Sequence, residues 1–533
     1  MIDTADYIIV GAGSAGCVLA AELSSDPSNN VLLVESGPAD RHFLIDMPRG
    51  VGKLMAPGNP HIWSYDVTKA GNRGTEKWVK GRAIGGSSSV NGMIYARGFA
   101  SDYDRWAELG CTGWGWADMV PHFKAMEDHE LGETPERGVG GPLRISTHPR
   151  KVAGDELCEA VIDAAAEAGT PRVADTNASP QGGIGYQART IWKGKRQSAA
   201  KAFLRPALAR KNLTVISDTD VLRILFDGQR ASGVEVRDAS GVRRIDARRE
   251  IIVSAGAIQS PKLLQLSGIG PARLLQDLGI AVVHDQPQVG RNLREHFYLQ
   301  TKYRVKRGSL NHEFAGPRLL WNVLRYVIAS SGPMTHAAQE LIGYVKTEPA
   351  LSRPDCQIGV GLYSMGLGPK GLELDKEPGL TIGGYPMHPV SLGEMHIVSA
   401  DPDAAPYILA NYLTDPEDQA TAVRLVRYIR KIASQPALAE LMIEEMMPGR
   451  AVQTDDEILA DYLARGGTAY HVAGTCRMGS DAASVVDPLA RVRGVSGLRV
   501  VDTSIFPELP SGNTNAPAMA AGRNVAMMIR KDR

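Results

Sequence analysis

The sequence has few cysteines, no surplus of either charge and no long apolar run. Its five cysteines (Cys17, Cys111, Cys158, Cys356 and Cys476) are spread over 533 residues with no close pair. That spacing suits neither a disulfide framework nor a cysteine zinc site, and no metal is expected. Lys+Arg and Asp+Glu both number 59, so the formal net charge is zero. Proteins built mainly to bind nucleic acid or an anionic membrane carry a basic surplus, which leaves room here only for a local basic patch. Residues 1–6 hold two aspartates and no basic residue, unlike a secretion signal. The uncharged stretch 7–21 is glycine-rich and shorter than the roughly 20 residues of a membrane helix. A cytoplasmic protein with no transmembrane segment and no nucleic-acid partner is expected, with residues 530–533 as a solvated tail.

What the chain does have is a 43 % hydrophobic fraction, enough for a large core, and 57 glycines, well above the roughly 7 % that is typical. Glycine at that level marks places where backbone passes close to something. The first such place is near the start. Tyr7-Ile8-Ile9-Val10 reads as a buried strand and runs straight into Gly11-Ala12-Gly13-Ser14-Ala15-Gly16. Residues 17–23 read as a helix, and residues 30–34 as a second strand ending at Glu35. In such a unit Gly11 allows the tight turn, Gly13 lets backbone approach a pyrophosphate, and Gly16 lets helix and strand pack. The helix N-terminus, with Ser14 and Ala15, offers N–H groups to the phosphates. Glu35 is placed to accept from ribose hydroxyls. These residues predict a dinucleotide site without separating FAD from NAD.

The second cluster is Gly81-Arg82-Ala83-Ile84-Gly85-Gly86-Ser87-Ser88-Ser89-Val90-Asn91-Gly92. Paired glycines and three serines suit an anionic or polar ligand, so one long cofactor could touch both loops. Apolar Ile84, Val90 and Met93 argue for a packed loop. Residues 213–216, 221–226 and 231–236 read as strands of a meander, and 249–256 as a buried strand with a glycine turn. Strands are also expected at 301–305, 342–346 and, half-exposed, 389–398, with helices at 319–329 and 419–432. Residues 498–504 read as an apolar strand ending in an acid, followed by Pro517 and a helix over 518–529.

Residues 81–104, the run 256–270, Val289-Gly290-Arg291-Asn292-Leu293-Arg294-Glu295-His296 and His471-Val472-Ala473-Gly474-Thr475-Cys476-Arg477-Met478-Gly479 resemble, in order, landmarks of the glucose–methanol–choline (GMC) oxidoreductases. The resemblance spans about residues 7–523. It implies an α/β protein, a Rossmann-like FAD-binding domain (1–150, 190–300 and 465–533) interleaved with an α+β substrate domain (151–189 and 301–464) built on a mostly antiparallel sheet. It implies FAD and hydride transfer from an alcohol. His471 matches the family's catalytic histidine, and an asparagine about 44 positions later matches its partner, which points to Asn515 rather than Asn513. His296 resembles a structural position. The resemblance also places Arg82, Gly85, Gly86, Ser87, Asn91, Gly92, the backbone at Val221, Asp502, Thr503, Asn515 and Ala516 on the cofactor.

Alcohol oxidation requires a base for the hydroxyl proton, and neutral histidine is suited to that. Asn515 can donate to the alkoxide oxygen. Val90 occupies the position where choline oxidases carry a flavin-linked histidine, so FAD is expected to be non-covalent. Tyr470, just before His471, resembles aryl-alcohol and hydroxymethylfurfural oxidases and is expected in the substrate pocket. The favoured substrate is an aromatic or other uncharged, extended primary alcohol, with oxygen or another acceptor taking the electrons. A polyether-alcohol or choline-type dehydrogenase is the enzyme alternative. A hydroxynitrile lyase-like, non-redox enzyme is the alternative of another class.

Overall fold

In the computed structural model, which describes residues 3–71, 73–148, 152–368 and 371–532, two seven-stranded sheets organise the chain. The expected boundary at 150/151, the first two residues and Arg533 lie outside the described residues. The first sheet is built around strand Thr4–Val10, whose apolar end is buried on both faces as a parallel core strand should be. It pairs in parallel with Val31–Val34 on one side and the end of Gly241–Val253 on the other. Leu498–Val500 adds a further parallel strand to Gly241–Val253. Asp220–Asp227, Arg230–Asp238 and Gly241–Val253 form the antiparallel meander.

Leu213–Ile216 differs from expectation. It leaves the meander and pairs in parallel with Val31–Val34 at the sheet edge. The cause is Asn212, whose Nδ2 donates to the carbonyls of Ser24, Asp26 and Asn29 and so ties the segment to the loop after the first helix. That helix, Ser14–Leu23, packs against Asn515–Lys531, where Gly522 presses on Ala15. The C-terminal helix starts at Asn515, earlier than expected. Pro517 therefore lies in its first turn, where a missing N–H costs nothing.

The second sheet runs in the order Met442–Met447, Phe297–Val305, Gly379–Pro386, Cys356–Gly361, Leu341–Val345, Gly183–Tyr186, with Gly467–Thr468 also paired to Phe297–Val305. Every pairing is antiparallel. Alternation explains its two faces. Phe297, Leu299, Tyr303 and Val305 point into a core shared with helices Asp155–Glu167, Pro416–Ala433 and Asp455–Arg465. Tyr298, Gln300 and Lys302, one residue out of phase, line a cavity instead. Cys356, Ile358 and Val360 against Gln357 and Gly359 repeat the pattern. The strand expected over 389–398 is confined to Glu394–His396. It joins a four-stranded sheet with Tyr407–Leu409, Ile62–Thr68 and Thr75–Gly81, which crosses the expected division between residues 1–150 and 301–464.

Candidate active site

A cavity of about 1110 Å³ is lined both by the glycine turns of the first sheet and by the polar face of the second. At the first sheet, Gly11 turns the chain and Gly13, Ser14 and Ala15 border the cavity. A side chain at Gly13 would meet no protein atom nearer than the Ser254 carbonyl at 3.7 Å. Neither its backbone nor its packing calls for glycine, so the open space calls for a ligand. Gly16 is different: a Cβ there would stand 2.0 Å from the Gly11 carbonyl, so it serves the packing of helix on strand. The two glycine clusters touch. Gly85 N donates to Ala12 O at 2.7 Å, and a Cβ on Gly86 would fall 2.7 Å from Gly13 Cα.

Glu35 borders the cavity and accepts from Ala12 N and Gly37 N, both at 2.9 Å. Burial pushes its carboxyl up to about 7 against those two hydrogen bonds. Arg82 stacks on Trp63 with 4.6 Å to the ring centre and lies 3.7 Å from Asp220. Ser87, Asn91, Gly92 and Val221 also line the cavity. Asn91 Oδ1 accepts from Met93 N and Arg196 Nη1, which leaves its amide nitrogen toward the remaining space. Asp502 lines the cavity while it accepts from Gly256 N and Ser260 Oγ, and Thr503 Oγ1 donates to Val472 O. Thr514, Asn515 and Ala518 bring the N-terminus of the C-terminal helix to the same wall, where its unpaired N–H groups favour negative charge. Gly16 and Gly85 stand behind the lining, and Ala516 is buried in the core beneath the helix start. Together the glycine loops, Glu35 and the helix end fit an elongated dinucleotide.

At the second sheet stands His471, buried among His296, Tyr385 and Asn513. The hydrogen bonds determine which of its nitrogens carries hydrogen. His296 Nε2 lies 2.8 Å from Met387 O, and a carbonyl only accepts, so Nε2 is the protonated nitrogen. Burial lowers His296 to about 3, so it is neutral and its Nδ1 is a lone pair. His471 Nδ1, 3.0 Å away, must then be the donor. That leaves His471 Nε2 unprotonated and facing the cavity, where it accepts from Asn513 Nδ2 at 2.9 Å. Burial, then His296 and Lys80, hold the His471 imidazole well below its ordinary value and keep it neutral.

The backbone at this point is also held. Glu295 Oε1 accepts from His471 N at 2.7 Å and its other oxygen from Thr468 Oγ1. Burial raises this carboxyl, as it lowers the ammonium of Lys80, which donates to Tyr470 O at 2.8 Å. Tyr470 sits in the left-handed region at φ 67 and lines the cavity with 42 % of its surface exposed.

The expected partner of His471 is corrected. Asn513, not Asn515, is bonded to it; Asn515 Oδ1 instead accepts from Ser14 Oγ at 2.7 Å, across at the first glycine loop. The helix start decides this. Asn515 is the first helical residue and turns toward the Ser14–Leu23 helix, whereas Asn513 belongs to the preceding loop.

Two stretches, residues 5–298 and 389–522, match the N- and C-terminal GMC oxidoreductase descriptions. The chain belongs to the GMC oxidoreductase family. It is 39 % identical over 536 residues to the oxygen-dependent choline dehydrogenase of Sinorhizobium fredii, covering 98 % of this chain and 95 % of that one. Against the alcohol dehydrogenase (acceptor) of Pseudomonas putida the identity is 38 % over 538 residues, with the same coverage of 98 % and 95 %. Among solved structures, pyridoxine 4-oxidase from Mesorbium loti superposes with a TM-score of 0.89 at 31 % identity, covering 99 % of each chain. This GMC oxidoreductase is thus a flavin-dependent enzyme acting on CH–OH donors.

The far wall of the cavity in this GMC oxidoreductase was not legible in its sequence. Tyr298, Gln339, Gln357 and Tyr385 line it beside His471. The Tyr385 hydroxyl and Gln357 Oε1 are buried without a partner, while Gln357 Nε2 reaches Asn513 Oδ1 at 3.4 Å. The signal that could have found Tyr298 is the out-of-phase polar set in 297–305. Glu295 and His296 stood in a quoted landmark, but nothing local joins them to a histidine 175 residues away. No group of three or more His, Cys, Asp or Glu suited to a metal occurs among the described residues.

Proposed function

We propose that this chain oxidises an uncharged primary alcohol, with His471 as general base and Asn513 as hydrogen-bond donor to the alcohol oxygen. The observation that carries this is the unprotonated Nε2 of a neutral, buried histidine facing the cavity, held by an amide donor. The alcohol hydroxyl would donate to His471 Nε2 in place of Asn513 Nδ2, which would turn to the alcohol oxygen and stabilise charge growing there as its proton leaves. FAD, when bound, supplies the acceptor for the hydride. Gly11, Gly13, Ser14, Glu35, Arg82, Gly86, Asn91, Val221 and Asn515 would hold it, with residues 1–150, 190–300 and 465–533 as the cofactor unit. His296 keeps the base in its reactive tautomer, and Glu295 holds the backbone beneath it. The burial of the neutral imidazole limits the water that competes for the proton.

The wall opposite the glycine loops favours an uncharged substrate with an aromatic or extended body. Tyr298, Tyr385 and Tyr470 supply ring surface there, and the unpartnered Tyr385 hydroxyl and Gln357 oxygen supply polar contacts. No carboxylate lines that part, whereas Lys80, Lys302 and Arg465 do. Arg465 is paired with Asp461 and Lys80 stands near buried Glu295, but a trimethylammonium group such as choline's would find cations rather than acids on the lining itself. The test is a panel of hydroxymethyl-aromatic, aliphatic and quaternary-ammonium alcohols in anaerobic stopped-flow. An aromatic or uncharged alcohol should bleach the flavin with a higher kcat/KM than choline. Choline as the best substrate, or no bleaching by any alcohol, would refute the reading.

We also propose that the FAD is non-covalent. Val90, buried at the cavity wall, has no atom to bond the ring, no cysteine lines the cavity, and among the described residues His471 is its one lining histidine. Acid precipitation should therefore leave all yellow colour in the supernatant; flavin in the washed pellet would contradict this.

A further inference from the structure

The helix Gly316–Ala329 turns its apolar side outward. Its inner face, with Leu319, Asn322, Val323 and Tyr326, packs over Met47 and Met334. On the opposite side Leu320, Trp321, Leu324, Val327 and Ile328 are 73 %, 64 %, 46 %, 59 % and 75 % exposed. Positions i, i+1, i+4, i+7 and i+8 fall on one stripe of a helix. Phe43, itself 48 % exposed, stands beside the inner face, its ring 5.8 Å from that of Tyr326. Exposed apolar residues scattered singly are ordinary; a contiguous strip of five large ones marks an interaction surface.

The charges around the strip are of one sign within the helix. Arg318 and Arg325 are exposed, and the helix contains no acid. Glu313, just before it, lies 3.5 Å from Arg318 and accepts from Asn322. Arg325 Nε donates to Ser331 Oγ and meets no carboxylate among the described residues. The helix is 14 residues long, too short to cross a bilayer, and no helix among the described residues is long and apolar enough to do so.

We propose that this helix docks the protein onto the surface of an anionic phospholipid bilayer. It would lie in the plane of the interface, apolar stripe toward the acyl chains, Trp321 at headgroup level and the arginine heads reaching lipid phosphates. A second copy of this chain is the competing occupant. A two-fold contact through the stripe would bring the Arg325 side chains of the two copies together, with no acid in the helix to answer them, while Glu313 answers Arg318. Anionic headgroups answer both the apolar stripe and the arginines. The zero net charge of the whole chain does not oppose this, because headgroups sense the local patch over about a Debye length. The surface also adjoins the active site. After the helix, Pro333–Thr335 leads to Ala338 and Gln339 on the cavity wall; beneath it, Met47 leads to Val51 and Met55 on the same wall. Docking here stands beside a route for alcohols that partition into lipid, and it does not depend on which alcohol is oxidised.

The test is co-sedimentation of the flavin-loaded enzyme with vesicles of phosphatidylcholine, with and without phosphatidylglycerol. The enzyme should pellet with the phosphatidylglycerol vesicles and be released by salt. Trp321→Ser combined with Ile328→Ser should lower the partition coefficient by at least about 100-fold, at no less than roughly 1.5 kcal/mol for each large apolar side chain. Arg325→Gln should lower it about fivefold and reduce the salt effect, at roughly 1 kcal/mol per basic residue. Both variants should keep wild-type flavin content and wild-type reduction by alcohol in solution. Enzyme that stays in the supernatant with both vesicle types would overturn the proposal, as would a double variant that pellets like wild type. A vesicle-free dimer by light scattering that the double variant turns into monomer would assign the stripe to a second copy instead.

Discussion

At the scale of single residues, the proposed role of His471 as base rests on neighbours that leave its Nε2 unprotonated. Met387 orients His296, His296 Nδ1 accepts from His471 Nδ1, and Nε2 faces the cavity. His471→Ala should lower the rate of flavin reduction by about 10²–10⁴-fold, the usual worth of a positioned acid–base group, with FAD retained. The two asparagines should separate. Asn513→Ala should cost the reductive step about 1–3 kcal/mol, the loss of one hydrogen bond at developing charge. Asn515→Ala removes the acceptor of Ser14 Oγ and should loosen FAD more than it slows reduction. Stopped-flow reduction and flavin titration of both variants check this; a larger reductive loss in Asn515→Ala would reverse the assignment. Only neutral histidine accepts a proton, and burial lowers the His471 value. The reductive rate should therefore rise with pH through a midpoint below the ordinary 6.5 and be level in histidine terms above it. A rise centred above 6.5 would contradict a buried base.

At the scale of elements, the glycine loops separate what a ligand needs from what the fold needs. Gly13 faces open space and Gly16 faces the Gly11 carbonyl. Gly13→Ala should leave the melting temperature of the flavin-free protein close to wild type while weakening FAD binding, because the methyl enters ligand space. Gly16→Ala should destabilise the flavin-free protein by roughly 1–3 kcal/mol, since the helix must move off the strand to admit a methyl group. Melting of the stripped proteins together with flavin titration distinguishes them. A Gly13→Ala protein with wild-type affinity would remove the case for the loop as a pyrophosphate cradle.

At the scale of the whole molecule, buried histidines make the fold acid-sensitive. Burial lowers His122 and His129 to about 4 and His148 and His296 to about 3, and lowers His471 as well. In the unfolded chain each titrates near 6.5, so below that pH the unfolded state binds more protons and stability falls as pH falls. Glu35 and Glu295, raised by burial, act with the opposite sign, because in the same range they bind protons in the folded state first. With His61, His336 and His396 also lowered by burial, and Glu127 and Asp502 also raised by it, eight histidines face four carboxyls and leave a net loss. The melting temperature should decline as pH is lowered from about 6.5 toward 4.5 at fixed ionic strength; a flat or rising trend would show that these histidines are not buried neutral.

The sequence by itself determined what is local. The turn Gly11–Gly16 with its strand and helix, the acid Glu35 and the second glycine loop follow from residue chemistry within a few positions, where backbone geometry leaves few choices, while His471 stood out by the resemblance to the family. The tertiary structure decided what is joined across distance. Which asparagine meets His471 depended on where the last helix begins, and a count along the loop pointed to the wrong one. His296 became the partner of the base only when residues 296 and 471 were folded together. Asn212 pulled Leu213–Ile216 out of the meander, which its apolar pattern could not show. The helix Gly316–Ala329 was legible as a helix over 319–329, but which of its sides met the core was not, because a chain with apolar residues nearly all round it offers two faces. Packing on Met47 and Met334 chose one and left the other exposed.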